Sequence, residues 1–168
     1  DPQLERLLWA KRIKYLYAHI DDYVGMGSQA ELDEGWYEKE QQYIRQQSNV
    51  YSANSVPVKF RSIGLGPSVD TSISQDDILL LAEVEHNRWN IERLLLGSSP
   101  LTCEKRLSLL KRQLSADENE VKAAKAERTD LKNNHFKHAD IAPYEELLDS
   151  SKQYDINIVA HLIDVIKK

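Results

Sequence analysis

The chain has 168 residues, of which 41% are hydrophobic and 29% are charged, and its formal net charge is -5. These values fit one folded domain, or a small domain with an extension, and they exclude a disordered chain. Six glycines and five prolines are too few for the frequent turns of an all-β protein. We therefore predict an all-α, mainly helical fold with at most one or two very short strands.

The distribution of charges and cysteines limits the partners and the compartment. Acidic and basic residues are interspersed, and the sequence lacks the Lys- and Arg-rich stripe with which proteins bind DNA or RNA. Cys103 is the single cysteine, so neither a disulfide framework nor a cysteine zinc site is expected. No apolar run approaches the roughly 20 residues of a membrane-spanning helix. We expect a cytoplasmic protein without membrane insertion and, because it begins at Asp1 in helical sequence, a fragment with neighbouring domains.

The first predicted helix covers residues 3–24, where apolar residues recur at intervals of three and four with charged residues between them. Gly25 and Gly27 are expected to end this helix, because glycine readily adopts the left-handed backbone that closes one. A second helical stretch starts after Ser28, since Ser28 and Glu31 have the spacing of a capping box.

The second stretch is expected to kink or stop at Pro57, which lacks a backbone donor and crowds the preceding helical turn. We group residues 1–70 as an N-terminal helical segment. It precedes a predicted helical domain at residues 71–168.

The clearest helix of the sequence opens that domain. Ser74 and Asp77 can cap its first turn, and acidic residues there suit the positive end of the helix dipole. Residues 75–96 then run without glycine or proline until Gly97, which is expected to stop the helix. The pattern predicts one long helix of about 33 Å, at 1.5 Å per residue.

Residues 104–134 are predicted to form a polar helical insertion in the domain. Their dense charges favour a solvated excursion over a binding arm. His135 and His138 follow, and an exposed loop is the favoured interpretation of this segment over a metal site. A short helix with Pro143 at its first position and a final amphipathic helix complete the chain.

One face of the long helix carries the residues best suited to recognition. Spacings of three and four residues place four side chains on this face: the His86 imidazole, the Trp89 ring, the Asn90 amide and the Arg93 guanidinium. Such a set can hold a planar, polar or anionic ligand such as a nucleotide. The spacing alone favours the alternative, in which Trp89 belongs to the core and the polar residues pair with neighbouring glutamates or backbone groups.

Signatures of catalysis and metal binding are missing from the sequence. His86 is not part of a His-x-x-x-His zinc motif, and Cys103 has no local catalytic signature. No serine lies in a Gly-x-Ser-x-Gly elbow. We therefore predict no catalytic residues, no metal site and no cofactor. An enzyme with His86 or Glu85 as its base ranks last among the alternatives.

Two segments carry a resemblance to a known family. Residues 81–97, LAEVEHNRWNIERLLLG, resemble the first signature of the RyR domain, the module repeated in ryanodine receptors and also found in bacterial proteins. Residues 138–147, HADIAPYEEL, followed by KQYD at 152–155, are similar to the second signature. The resemblance covers roughly residues 75–168 and is strongest to bacterial members.

The resemblance implies a helical regulatory module with no established catalysis, and it suggests that the module senses nucleotide-derived ligands. It also implies that the second signature packs against the first, which brings Tyr144 and Asp155 to the recognition face. In the family, an aromatic residue commonly follows the glycine that corresponds to Gly97, whereas Ser98 follows it in this chain. The domains of the receptors occur in tandem, whereas this chain carries one copy. Dimerisation could supply the second copy.

These inferences give a ligand-binding or regulatory interaction module as the leading hypothesis. Its predicted ligand-binding residues are His86, Trp89, Asn90, Arg93, Tyr144 and Asp155. A structural assembly or oligomerisation domain of a larger protein is the second hypothesis. A nucleotide-processing enzyme is the third.

Overall fold

The computed structural model describes residues 1–37, 43–66 and 72–167. In these ranges the chain forms eight α-helices, one short 3-10 helix and two very short strands, which confirms the predicted all-α fold. The helices are α1 (Pro2–Ala18), α2 (Gln29–Tyr37), α3 (Tyr43–Ser62), α4 (Gln75–Leu95), α5 (Cys103–Gln113), α6 (Glu118–His135), α7 (Asp149–Ala160) and α8 (Leu162–Ile166). The strands β1 (Ser99–Pro100) and β2 (Lys137–His138) pair in parallel. None of the described helices is both long and apolar enough to cross a bilayer.

Residue contacts divide the chain into two units. The terminal unit comprises Asp1–His86 and Lys152–Lys168, and the central unit comprises Asn87–Ser151. The terminal unit thus joins the two ends of the sequence. The boundaries of these contact units do not coincide with the predicted segments at residues 1–70 and 71–168. The division of the chain into two domains at residue 70 stays a prediction.

The terminal unit is built around α1, which packs against α2, α3 and α8. Its core contains two tryptophans and a set of branched aliphatic and aromatic side chains that are almost completely buried. The largest of these are Trp9, Ile13, Trp36, Val56, Phe60, Leu81, Ile158 and Leu162. Burial of such side chains contributes about 1.5–3 kcal/mol each and holds the two chain ends together.

Local sequence signals explain where α1 ends and α2 begins. The Ser28 amide donates to the Glu31 carboxylate at 2.7 Å, and the Glu31 amide lies 3.4 Å from the Ser28 hydroxyl, so the predicted capping box is confirmed. The predicted end of α1 near Gly25 is wrong, because the helix ends at Ala18. Asp21 and Asp22 follow that end, where the helix dipole disfavours negative charge.

Pro57 lies inside α3. Of the two predicted outcomes, a kink or a stop, the stop is therefore wrong. A proline at this position leaves the carbonyl of Ala53, four residues earlier, without its helical donor. The guanidinium of Arg6 on α1 lies 3.5 Å from this carbonyl oxygen and also covers the ring of Trp9 at 4.4 Å. The tertiary contact therefore supplies a donor to the group that the proline leaves unsatisfied.

Helix α4 agrees closely with its prediction. The Asp77 amide donates to the Ser74 hydroxyl at 3.1 Å, which caps the first turn. Gly97, with φ of 88°, follows the last turn in the left-handed conformation that glycine tolerates. Both signals are local, so the sequence alone predicted this helix well.

The central unit has its own small core. Helix α5 packs against α6, and β2 packs against α6. Leu101, Leu109, Ala124 and Ala139 are buried together there. The predicted polar insertion at residues 104–134 therefore forms most of two packed helices, α5 and α6, that carry a core of their own.

Candidate functional site

The structure divides the six predicted ligand-binding residues between the two units. His86 and Asp155 lie in the terminal unit. The other four predicted residues belong to the central unit and are half-buried; they are Trp89, Asn90, Arg93 and Tyr144.

His86 and Asp155 form a buried pair in the terminal unit. His86 Nδ1 lies 3.4 Å from the Asp155 carboxylate, and only 3% of His86 is exposed. This pair links the middle of α4 to α7. An imidazole paired with a carboxylate at this depth is well suited to fixing the position of its helix.

A second buried pair lies beside it on α4. Lys59 Nζ is 2.6 Å from Glu85, and the two side chains are 1% and 0% exposed. The Ser52 hydroxyl donates to the other Glu85 oxygen at 3.0 Å. Both oxygens of this carboxylate therefore have partners, as expected of a charge that is fully removed from water.

Trp89, Arg93 and His138 come together in the central unit, and we call them the Trp89 cluster. The His138 ring meets the indole edge-on, with centroids 4.8 Å apart and an angle of 80°. The Arg93 guanidinium lies over the indole ring at 5.5 Å. This arrangement combines an aromatic surface, a cation and an imidazole, which are groups that hold planar anionic ligands.

Asn90 connects α4 to the segment that carries the second signature. Its side-chain amide donates to the carbonyl of Ala142 at 2.9 Å. Together with the contact between Trp89 and His138, this bond brings residues of the two signatures against each other within the central unit. Tyr144 begins the 3-10 helix Tyr144–Glu146, and Arg106 of α5 forms an ion pair with Glu146 there.

His138 is the site residue that sequence analysis missed. The prediction of an exposed loop is wrong for this residue, since only 15% of its side chain is exposed. It lies in β2, opposite Pro100 of β1. The parallel pairing of β1 and β2 cannot be predicted from two-residue strands that lie far apart in the sequence. Its position in the second signature was the only available signal.

The surroundings of His138 keep its imidazole neutral. The pKa of His138 is lowered to about 4, and burial is the largest cause. Asp140 acts in the opposite direction, whereas the cations Arg128, Lys132 and Arg93 also lower the pKa. The backbone amide of Asp140 donates to His138 Nδ1 at 3.1 Å. At neutral pH the proton therefore resides on Nε2, which is a hydrogen-bond donor.

The charges around the Trp89 cluster are predominantly positive. Glu92 accepts from Arg88 at 2.6 Å and lies 3.4 Å from Arg93, so one carboxylate faces two guanidinium groups. Arg128 forms an ion pair with Asp140. Among the described residues, no hydrogen-bond partner is present for the buried Nε of Arg93. The surplus of cations favours an anionic ligand group.

Metal chemistry finds no support in the described residues. Within these residues, no three His, Cys, Asp or Glu side chains are grouped so that they could hold a metal ion. Cys103 is an exposed free thiol at the start of α5.

Comparisons with protein-family models, with curated proteins and with solved structures gave no match to this chain. The resemblance to the RyR domain therefore rests on the two sequence signatures quoted above.

Proposed function

We propose that the chain is a non-catalytic ligand-binding module of the RyR type, and that the Trp89 cluster recognises a planar anionic ligand such as a nucleotide derivative. The observation that carries this proposal is the half-buried indole with a guanidinium over its ring and a neutral imidazole at its edge. In an acidic chain, this surplus of local positive charge supports selection of an anion.

Each residue of the Trp89 cluster, and Asn90 beside it, has a distinct proposed role. Trp89 stacks against the flat part of the ligand, and Arg93 binds its anionic group with a charge-assisted, bidentate bond. His138 donates from Nε2 to a ligand acceptor. Asn90 positions the second signature through its bond to Ala142.

The resemblance extends the proposed ligand set beyond the cluster. It adds Tyr144 as a contact residue, whereas His86 and Asp155 form a pair within the terminal unit. As part of a longer cytoplasmic protein, the module would couple ligand binding to neighbouring domains.

Calorimetric titration of the 168-residue chain with AMP, cyclic AMP and NAD tests the proposal. We expect at least one of these to bind, and Arg93→Gln and His138→Gln to weaken its binding about tenfold or more, the loss of a charge-assisted contact. Matched controls are Arg61→Gln and His135→Gln, both at exposed positions. Absence of heat with all three ligands, or wild-type binding by Arg93→Gln, would contradict the proposal.

A second candidate function is assembly with another chain. In the central unit, α4 exposes a group of large apolar side chains, Ile91, Leu94 and Leu95, at 59%, 49% and 82%. Exposed apolar groups of this kind mark interaction surfaces. Light scattering should then give a mass above that of one chain, reduced to the monomer mass by the Ile91→Glu/Leu95→Glu double variant. A monomer at all concentrations would exclude self-assembly.

A further inference from the structure

The terminal unit contains a cavity of about 470 Å³ that no part of the proposed function uses. Helix α1, the segment after it and α8 line this cavity. Its principal lining residues are Arg12, Tyr23, Val24, Met26, Asp164 and Lys167. The volume lies within the range of small-molecule binding sites.

Asp164 is the acidic group of the lining, and its charge is already neutralised by the surrounding residues. Lys167 Nζ lies 2.6 Å from its carboxylate, the Tyr23 hydroxyl donates to it at 3.1 Å, and His161 Nδ1 is 3.5 Å away. Burial raises the pKa of Asp164, but the hydrogen bonds from Lys167 and Tyr23 outweigh it and the pKa is lowered. Asp164 is therefore ionised, and because the Lys167 ammonium balances its charge it provides little negative potential to repel an anion.

Arg12 supplies the positive charge of the cavity. Its guanidinium donates to the carbonyls of Val165 and Lys167 at the C-terminal end of α8, at 2.8 Å for Val165. These bonds fix the side chain in the wall. Its Nε is buried and, among the described residues, has no hydrogen-bond acceptor. Both carbonyl bonds use Nη1, which leaves Nη2 as the donor for an incoming anionic oxygen.

The rest of the lining is suited to an apolar body. The rings of Tyr23 and His161 pack together with centroids 4.3 Å apart and an angle of 56°. The side chain of Val24 is fully exposed, and Met26 packs against the edge of the core. A ligand that covers Val24 and the Tyr23 ring would remove this apolar surface from water.

From these contacts we propose that the cavity is a binding site for a small organic anion, in which Arg12 holds a carboxylate or phosphate group and Val24, Tyr23 and Met26 contact an aromatic or aliphatic body. The site lies wholly within the terminal unit, so it does not depend on the function proposed for the Trp89 cluster. Because Lys167 balances the charge of Asp164, the net attraction for the anion comes from Arg12.

Titrations of the whole chain with benzoate, phenyl phosphate and benzyl alcohol test this site, with NMR resonances of Tyr23, Met26 and His161 as the readout. Benzoate, phenyl phosphate or both should shift these resonances, and the better of the two identifies the anionic group. Benzyl alcohol presents the same ring without charge and should bind about tenfold more weakly or worse.

Two variants separate binding from folding. Arg12→Gln removes the proposed anion partner and should weaken binding about tenfold or more. Val24→Asp places a repelling charge at a fully exposed position, where it should leave the fold intact and have the same effect on binding. Arg61→Gln, at an exposed position, serves as the control that should leave the affinity unchanged.

No resonance shift with either anion would overturn the proposal. Equal binding of benzyl alcohol, or wild-type affinity of both Arg12→Gln and Val24→Asp, would also overturn it.

Discussion

The two charged regions on α4 differ in how completely their charges are paired. In the terminal unit, Lys59 and Glu85 are sealed from water, and both carboxylate oxygens are occupied. In the central unit, the Trp89 cluster is half-buried, and the cations around it outnumber the carboxylates. The first arrangement is typical of charges with a structural role, whereas the second is the one for which we propose a ligand. Complete pairing therefore distinguishes structural charges from candidate binding groups along one helix.

The largest predicted effect concerns the buried pair of Lys59 and Glu85. Glu85→Gln should lower the free energy of unfolding by about 3–5 kcal/mol, because it leaves the Lys59 ammonium buried without its counter-charge. Glu83→Gln, at an exposed position on the same helix, should change it by less than about 0.5 kcal/mol. Urea denaturation followed by circular dichroism measures both. Equal stability of the two variants would show that the buried pair does not support the fold.

The next effect concerns the pH dependence of the Trp89 cluster. The pKa of His138 is lowered to about 4 in the folded protein from an ordinary value of 6.5. The unfolded chain therefore takes up the proton first, and stability present above pH 6.5 is lost as the pH falls through 6.5 towards 4. The expected loss is at most about 3.5 kcal/mol, at about 1.4 kcal/mol per pH unit.

Urea denaturation at pH 7 and at pH 4.5 measures this loss. The difference between the two pH values should be smaller in His138→Gln than in the wild type, because glutamine cannot take up the proton. His135→Gln is the matched control at an exposed position of α6. If His138→Gln shows the full wild-type loss, the imidazole is not held neutral by its surroundings.

A smaller effect concerns the backbone next to the Trp89 cluster in the central unit. Phe136 ends α6 with φ of 52°, in the left-handed region, and it is an exposed residue two positions before His138. Glycine at this position should stabilise the protein by about 1 kcal/mol, because it adopts this conformation without a Cβ clash. Phe136→Ala retains the Cβ and should not show the gain. If both variants have equal stability, no strain is stored beside the site.

The sequence predicted those features that depend on local signals. Ser74, Asp77 and Gly97 defined α4, and the helical period then placed His86, Trp89, Asn90 and Arg93 at intervals of three and four along it. These predictions needed only the geometry of one helix.

Features that depend on tertiary contacts could not be predicted in this way. Pro57 is accommodated inside α3 because Arg6, from another helix, approaches the carbonyl that lacks a donor. His138 joins Trp89 because β2 pairs with β1 across a long stretch of sequence. Neither contact produces a periodic pattern, so the missing part of the candidate site was the part made by the fold.

The most direct test of the Trp89 cluster as a ligand site is an NMR titration of the whole chain with AMP, cyclic AMP and NAD. With at least one ligand, the account predicts shifts of the Trp89 indole and His138 ring resonances, with the core indoles of Trp9 and Trp36 unchanged. An anion beside the imidazole should also raise the pKa of His138. Unchanged Trp89 and His138 resonances with every ligand, or equal shifts of all three indoles, would contradict it.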